Sequence, residues 1–91
     1  MKAIWKYELT MGTRQVVEMP VGAKLLTVHR QEGIVCLWAI VNTALPTEER
    51  IIGVFTTGYP LPENPKEYIG TAFFNGGEFV VHVFEILTTK P

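Results

Sequence analysis

Two histidines, one cysteine and nine carboxylates are the groups in this 91-residue chain suited to catalysis or metal ligation. Either chemistry needs several of them to converge. His82 stands in Phe79-Val80-Val81-His82-Val83-Phe84-Glu85, a strand-like run in which alternate residues share a face. It sides with Val80 and Phe84, whereas Glu85 falls on the opposite face, so the two form no local imidazole–carboxylate pair. His29 points away from Val28 and Arg30 by the same parity. Both histidines read as structural or surface residues. A nucleophilic Cys36 needs an exposed, electropositive setting with a base in reach. Its apolar neighbours predict an inert core thiol instead. Glu48-Glu49 reads as a solvated pair in a connection. No P-loop, nucleophile elbow, HExxH or paired-cysteine zinc pattern occurs. The expectation is a protein that is no enzyme, with no metal and no cofactor.

Recognition chemistry is better supplied. Five Phe, three Tyr and two Trp exceed what one small core needs. Aromatic faces beside arginines suit stacking a base and pairing a phosphate or carboxylate. They are equally suited to filling a core and a subunit interface. Gly58-Tyr59-Pro60 is singled out, because Pro60, Pro62 and Pro65 stiffen the loop and hold Thr57 and Tyr59 ready for a partner at low entropic cost. The competing reading is that these prolines only protect a sheet edge.

Positioning falls to β-strands. The run Ile34-Val35-Cys36-Leu37-Trp38-Ala39-Ile40-Val41 is apolar on both faces, too short to span a membrane, and rich in β-branched residues. Such a strand needs a second layer or a partner subunit over it. Seven strand-like segments separated by turn signals predict an all-β fold, a small antiparallel sandwich or barrel rich in hairpins, as a single domain over residues 1–91. The segments run from about Ala3 to Leu9, Arg14 to Met19, Lys24 to Arg30, Ile34 to Val41, Arg50 to Thr57, Tyr68 to Phe74 and Glu78 to Leu87. Asn75-Gly76-Gly77 predicts a type I′ turn between the last two. Thr47-Glu48-Glu49-Arg50 has the composition of a helical first turn, but an isoleucine pair and a glycine follow it.

If neighbouring segments pair as a meander, connections alternate between two ends of the sheet. Thr10 to Thr13, Gln31 to Gly33 and the loop from Gly58 then share one end. Pro20 to Ala23, Asn42 to Glu49 and Asn75 to Gly77 share the other. This places Arg14, Arg30, Thr57 and Tyr59 together as the candidate ligand-binding set.

Composition sets further bounds. The chain is 47% apolar and 19% charged, an excess of oily surface that predicts a homo-oligomer. Its net charge of -1 and singly scattered basic residues, from Lys2 to Lys90, disfavour a nucleic-acid polymer as partner. A lone cysteine forms no internal disulfide, and no signal peptide or membrane span is read. The expected setting is the cytoplasm.

Glu18-Met19-Pro20, Ala23-Lys24-Leu25-Leu26, Cys36-Leu37-Trp38-Ala39, Thr57-Gly58-Tyr59-Pro60, Tyr68-Ile69-Gly70-Thr71 and His82-Val83-Phe84-Glu85 together resemble a family of short phage and prophage proteins described as a domain of unknown function. The resemblance spans nearly the whole chain and carries no catalytic signature. It implies a viral or prophage origin, and small phage proteins of that kind act on host machinery or immunity. The expectation is therefore a phage accessory protein that binds and inactivates a host defence component in the host cytoplasm. Its partner would be a host protein or a small nucleotide-derived immune signal that it sequesters. The rival expectation is a virion structural or assembly protein acting through self-association. A third is a hydrolase whose site assembles across subunits.

Overall fold

Val81 and Val83 are fully buried, and so are Val35, Leu37, Ala39 and Val41, because two strands of odd-numbered apolar residues face one another across two stacked sheets. The computed structural model describes residues 1–12, 14–63 and 65–87. Thr13 and Asn64, assigned by sequence to connections, and Lys90 lie outside these. Among the described residues there are seven strands: β1 (Lys2–Glu8), β2 (Gln15–Pro20), β3 (Lys24–Gln31), β4 (Ile34–Asn42), β5 (Thr47–Thr56), β6 (Pro65–Phe74) and β7 (Phe79–Ile86). They form an antiparallel three-stranded sheet, β1-β4-β3, and an antiparallel four-stranded sheet, β2-β5-β7-β6. The result is an open sandwich and not a closed barrel. No helix among the described residues is long and apolar enough to cross a membrane.

The sequence of strands is not the meander expected. Only β3–β4 and β6–β7 pair as sequential hairpins; β1 pairs with β4, β2 with β5, and β5 with β7. The reason is layering: a 91-residue chain with strands apolar on the inner face buries more by dividing them between two sheets than by extending one. Thr47–Arg50 begins β5 rather than a helix.

One consequence moves a loop. β5 and β6 both run antiparallel to β7, so they are parallel to each other and flank it. The connection that leaves β5 at residue 57 must therefore cross β7 from one end of the sheet to the other, and does not cap one end as expected. Asn75–Gly77 also changes ends, lying with the Gln31–Gly33 turn and the β1–β2 connection. The hairpin it closes is real, but Phe74 pairs with Phe79, leaving four residues between them where a type I′ turn has two. Positive φ extends over Asn75 (53°), Gly76 (67°) and Gly77 (100°).

The doubly apolar β4 is covered in two ways. Its odd residues face the second sheet. On its other face Cys36 is only 1% exposed although no strand overlies it. Lys6 Nζ donates to Gln31 Oε1 at 2.7 Å, and this bond between β1 and β3 passes over β4 at the level of Cys36. Trp38 and Ile40 farther along that face stay half-buried, and neighbouring Ile4 is 62% exposed.

Candidate ligand site

Charged side chains gather at two ends of the sandwich with opposite outcomes. At the end holding the β2–β3 turn and the start of β5, Glu85 is fully buried on the core face beside Val81 and Val83. A lone carboxylate there requires compensation. Arg50 supplies it: Nε and Nη2 donate to the two Glu85 oxygens (2.5 and 3.1 Å), while Nη1 donates to the Ala23 carbonyl (3.1 Å). Lys66 Nζ stands 3.8 Å from Glu85 Oε1. Glu48 Oε2 lies 3.5 Å from Arg50 Nη1 and accepts the Gly22 N–H at 3.1 Å. The guanidinium is held above its ordinary pKa, first by the hydrogen bond to Glu85 and then by the charges of Glu85, Glu48 and Glu67, against an opposing push from burial. A cleft of about 400 Å³ opens over this cluster between Gly22, Glu49 and Leu87. Its principal donors and acceptors are already spent on one another, so the cluster acts as a clamp joining β5, β6, β7 and the β2–β3 turn.

The opposite end leaves its groups available. Arg14 immediately precedes β2, where Gln15 mimics a peptide group: its Nε2 donates to the Thr10 carbonyl and its Oε1 accepts the Thr10 N–H, both at 2.9 Å. That pair closes the connection from β1 and fixes where Arg14 emerges. After β5, Tyr59 N–H donates to the Thr56 carbonyl at 3.0 Å in a tight turn that needs Gly58 at φ 92°. The turn sends Tyr59 and the prolines over the outer face of β7. Beneath them, Phe55 and Phe84 meet edge to face at 6.3 Å between centroids, and Tyr68 meets Phe84 at 5.4 Å. Arg14, Phe55, Tyr59, Pro60, Leu61 and Pro62 line one cleft of about 350 Å³. Tyr59 is 66% exposed there, and Arg14 is exposed.

The four residues expected to form one site are thus distributed. Arg14 and Tyr59 share this cleft. Thr57 starts the same loop but turns to β7, its Oγ1 lying 2.7 Å from His82 Nε2 and donating to the Val80 carbonyl at 3.4 Å. Arg30 is at the same end but on the far side, across the seam between β3 and β6, with its guanidinium 5.3 Å from the Phe74 ring centroid.

His82 joins more than its sequence setting implied. Its Nδ1 lies 3.1 Å from Thr71 Oγ1, which is 2.6 Å from the Tyr68 hydroxyl. Because Thr57 gives its proton to a carbonyl, it accepts from Nε2–H, and Nδ1 is left to accept from Thr71. The chain ties the crossover loop to β7 and β6. Neither this chain nor the Arg50–Glu85 clamp was identified from the sequence. For Glu85 a signal existed, since it shares parity with Val81 and Val83; for Thr71 and Tyr68 there was none. Among the described residues no three His, Cys, Asp or Glu side chains converge where a metal ion would sit.

The fold is a small two-sheet β-sandwich, and at the end opposite the clamp prolines and aromatic rings frame an open cleft with one guanidinium at its edge. The chain belongs to the family described as Domain of unknown function (DUF7352), which it matches over residues 1–90. No curated protein and no solved structure matches it.

Proposed function

We propose that this protein is a non-enzymatic binding domain that captures a small anionic molecule carrying a planar ring in the cleft beneath the crossover loop. One observation carries the reading: an exposed guanidinium, a solvent-facing phenol ring and a rigid frame of prolines converge on a single cleft of about 350 Å³. That size falls in the range of small-molecule sites, roughly 300–1,000 Å³. Arg14 makes no ion pair with the described residues, so its charge is available to a ligand. Pro60, Pro62 and Pro65 each fix a backbone angle, which lowers the entropic cost of capture.

The phage or prophage origin implied by the sequence resemblance gives this capture a purpose. A nucleotide-derived signal of host immunity has both a stackable base and phosphate charge, and a protein that binds it without turnover removes it from circulation in the host cytoplasm. Calorimetry with cyclic dinucleotides and ADP-ribose-type nucleotides tests this. Wild type binds at least one of them, and Arg14→Ala and Tyr59→Ala each weaken it about tenfold or more, the loss expected for a charge-assisted bond or a stacked ring. No binding by wild type, or binding undiminished in both variants, would overturn the assignment.

A second reading rests on a different face. Ile4 (62% exposed) lies beside half-buried Trp38 and Ile40 on the outer face of the three-stranded sheet. A two-fold contact through this face would make a homo-oligomer, and self-association of that kind is the route by which the protein would serve virion structure or assembly. Light scattering during size exclusion decides it: a dimer that Ile4→Lys converts to monomer supports the contact, and a monomer at every concentration removes it.

A further inference from the structure

We propose that the seam between β3 and β6 is a second, separate binding site, taking an oxyanion carried on a planar ring. A cleft of about 160 Å³ opens there between His29 and Arg30 of β3 and Thr71, Ala72 and Phe73 of β6. It holds the volume of about five water molecules, enough for a phosphoryl or carboxylate group but not for that group together with its ring. With the oxyanion at Arg30 inside the cleft the ring lies outside, where Phe73, a lining residue 60% exposed, can meet it.

The cation is already oriented. Arg30 holds its guanidinium 5.3 Å from the centre of the Phe74 ring, a contact that restricts the side chain while leaving its N–H edge without a partner among the described residues. The ring beneath it is fixed in turn by Phe79, 5.6 Å away. A guanidinium positioned in this way recognises two oxygens of one phosphate or carboxylate at once. His29 adds to the same wall. Its Nδ1 lies 3.1 Å from the Arg30 carbonyl, which can only accept, so Nδ1 carries a proton and the ring is held beside the cleft. Thr71 contributes shape rather than a bond, since its hydroxyl is engaged by His82 and Tyr68.

Close packing preserves the seam. A Cβ on Gly70 would come within 2.7 Å of Val28 Cγ2 and 3.2 Å of the Val28 nitrogen, so glycine is what lets β6 approach β3 at this depth. Two residues on, Thr71 and Ala72 form the cleft wall. The site therefore sits on two edge strands, one from each sheet, and not on a loop, and it shares no lining residue with the cleft of Arg14 and Tyr59.

The experiment is a nuclear magnetic resonance titration of the whole ¹⁵N-labelled protein with phenyl phosphate, benzoate and inorganic phosphate. Saturable shifts are expected at the Arg30 side-chain Nε–H and the amides of Thr71, Ala72 and Phe73. The tighter of the first two probes names the oxyanion. Arg30→Gln weakens the ring-bearing probes by about ten- to a hundredfold. Phe73→Ser weakens them about three- to tenfold and leaves inorganic phosphate unchanged. Read only at these seam reporters, the titration midpoint is the same in Arg14→Gln as in wild type, whatever that change does at the amides of its own cleft, which separates the two sites. Absence of saturable shifts at the seam in folded wild type, undiminished seam shifts in Arg30→Gln, or loss of the seam shifts in Arg14→Gln would each overturn the proposal. So would equal affinity for phenyl phosphate and inorganic phosphate, because the ring would then contribute nothing.

Discussion

The two ends of the sandwich handle their arginines in opposite ways. At the lower end Arg50 is drawn inside and spends its donors on Glu85, Glu48 and the Ala23 carbonyl. At the upper end Arg14 and Arg30 stay outside and form no ion pair with any of the described residues. The difference is set by what each meets. A carboxylate on the core face compels a cation to join it, since a buried charge without a partner is far costlier than the pair. Where no carboxylate is buried, the guanidinium stays in solvent, keeps its hydrogen-bonding capacity and can give it to a ligand. One end is a clamp, and the other is the surface proposed to receive a ligand.

The largest effect should come from breaking the clamp. Arg50→Met strands Glu85 inside and should cost about 3–5 kcal/mol in urea unfolding, whereas Arg50→Met with Glu85→Leu should recover most of that loss. If the single change is harmless, the two ends do not differ as described. Gly70→Ala comes next. The clash with Val28 should cost about 1–3 kcal/mol and displace the β3–β6 seam, so phenyl phosphate shifts at Arg30 should weaken in parallel. Trp38→Ala should cost clearly less than the roughly 3–5 kcal/mol of a fully buried aromatic, because its ring lies on the half-open outer face.

A smaller effect depends on pH. The Tyr7 hydroxyl is buried without a hydrogen-bond partner among the described residues, and burial raises its pKa above 10.0. The neutral phenol is the form the fold accepts. Its contribution is fully present below the unfolded value, and is lost as pH climbs through that value to the folded one. Wild type should therefore lose stability above about pH 10 relative to Tyr7→Phe, read as diverging urea midpoints. Coincident midpoints across that range would show the hydroxyl to be solvated. Smallest of all are Arg14→Ala and Arg30→Ala, which should change stability by less than about 0.5 kcal/mol. A loss near that of Arg50→Met would mean that the upper-end arginines are structural as well.

Much of this was legible residue by residue. Alternation in Val81, Val83 and Glu85 gives the face of each, and the same parity separates His82 from Glu85. The stiffness of Pro60 and Pro62 and the turn at Gly58 follow from local chemistry. Pairing across the sheets was not legible. The expected meander would have put Asn75–Gly77 with the β2–β3 turn, yet β7 inserts between β5 and β6 and reverses that end. The four candidate residues do reach one end, but it is several strands wide, and this separates Arg30 from Arg14. Lys6 and Gln31 could not have been matched over Cys36 from sequence either. They are 25 residues apart and meet only because β1 and β3 share β4 as a neighbour.

The sequence by itself determined the local terms: which segments are strands, which face of each is apolar, where the chain turns, and the all-β class. These depend on side-chain period and on backbone preferences that act over a few residues. Only the tertiary structure decided which arginine is consumed and which is free. A guanidinium's role depends on the charge brought within about 3 Å of it, and Glu85 reaches Arg50 from 35 positions away through a β5–β7 pairing that no local pattern encodes.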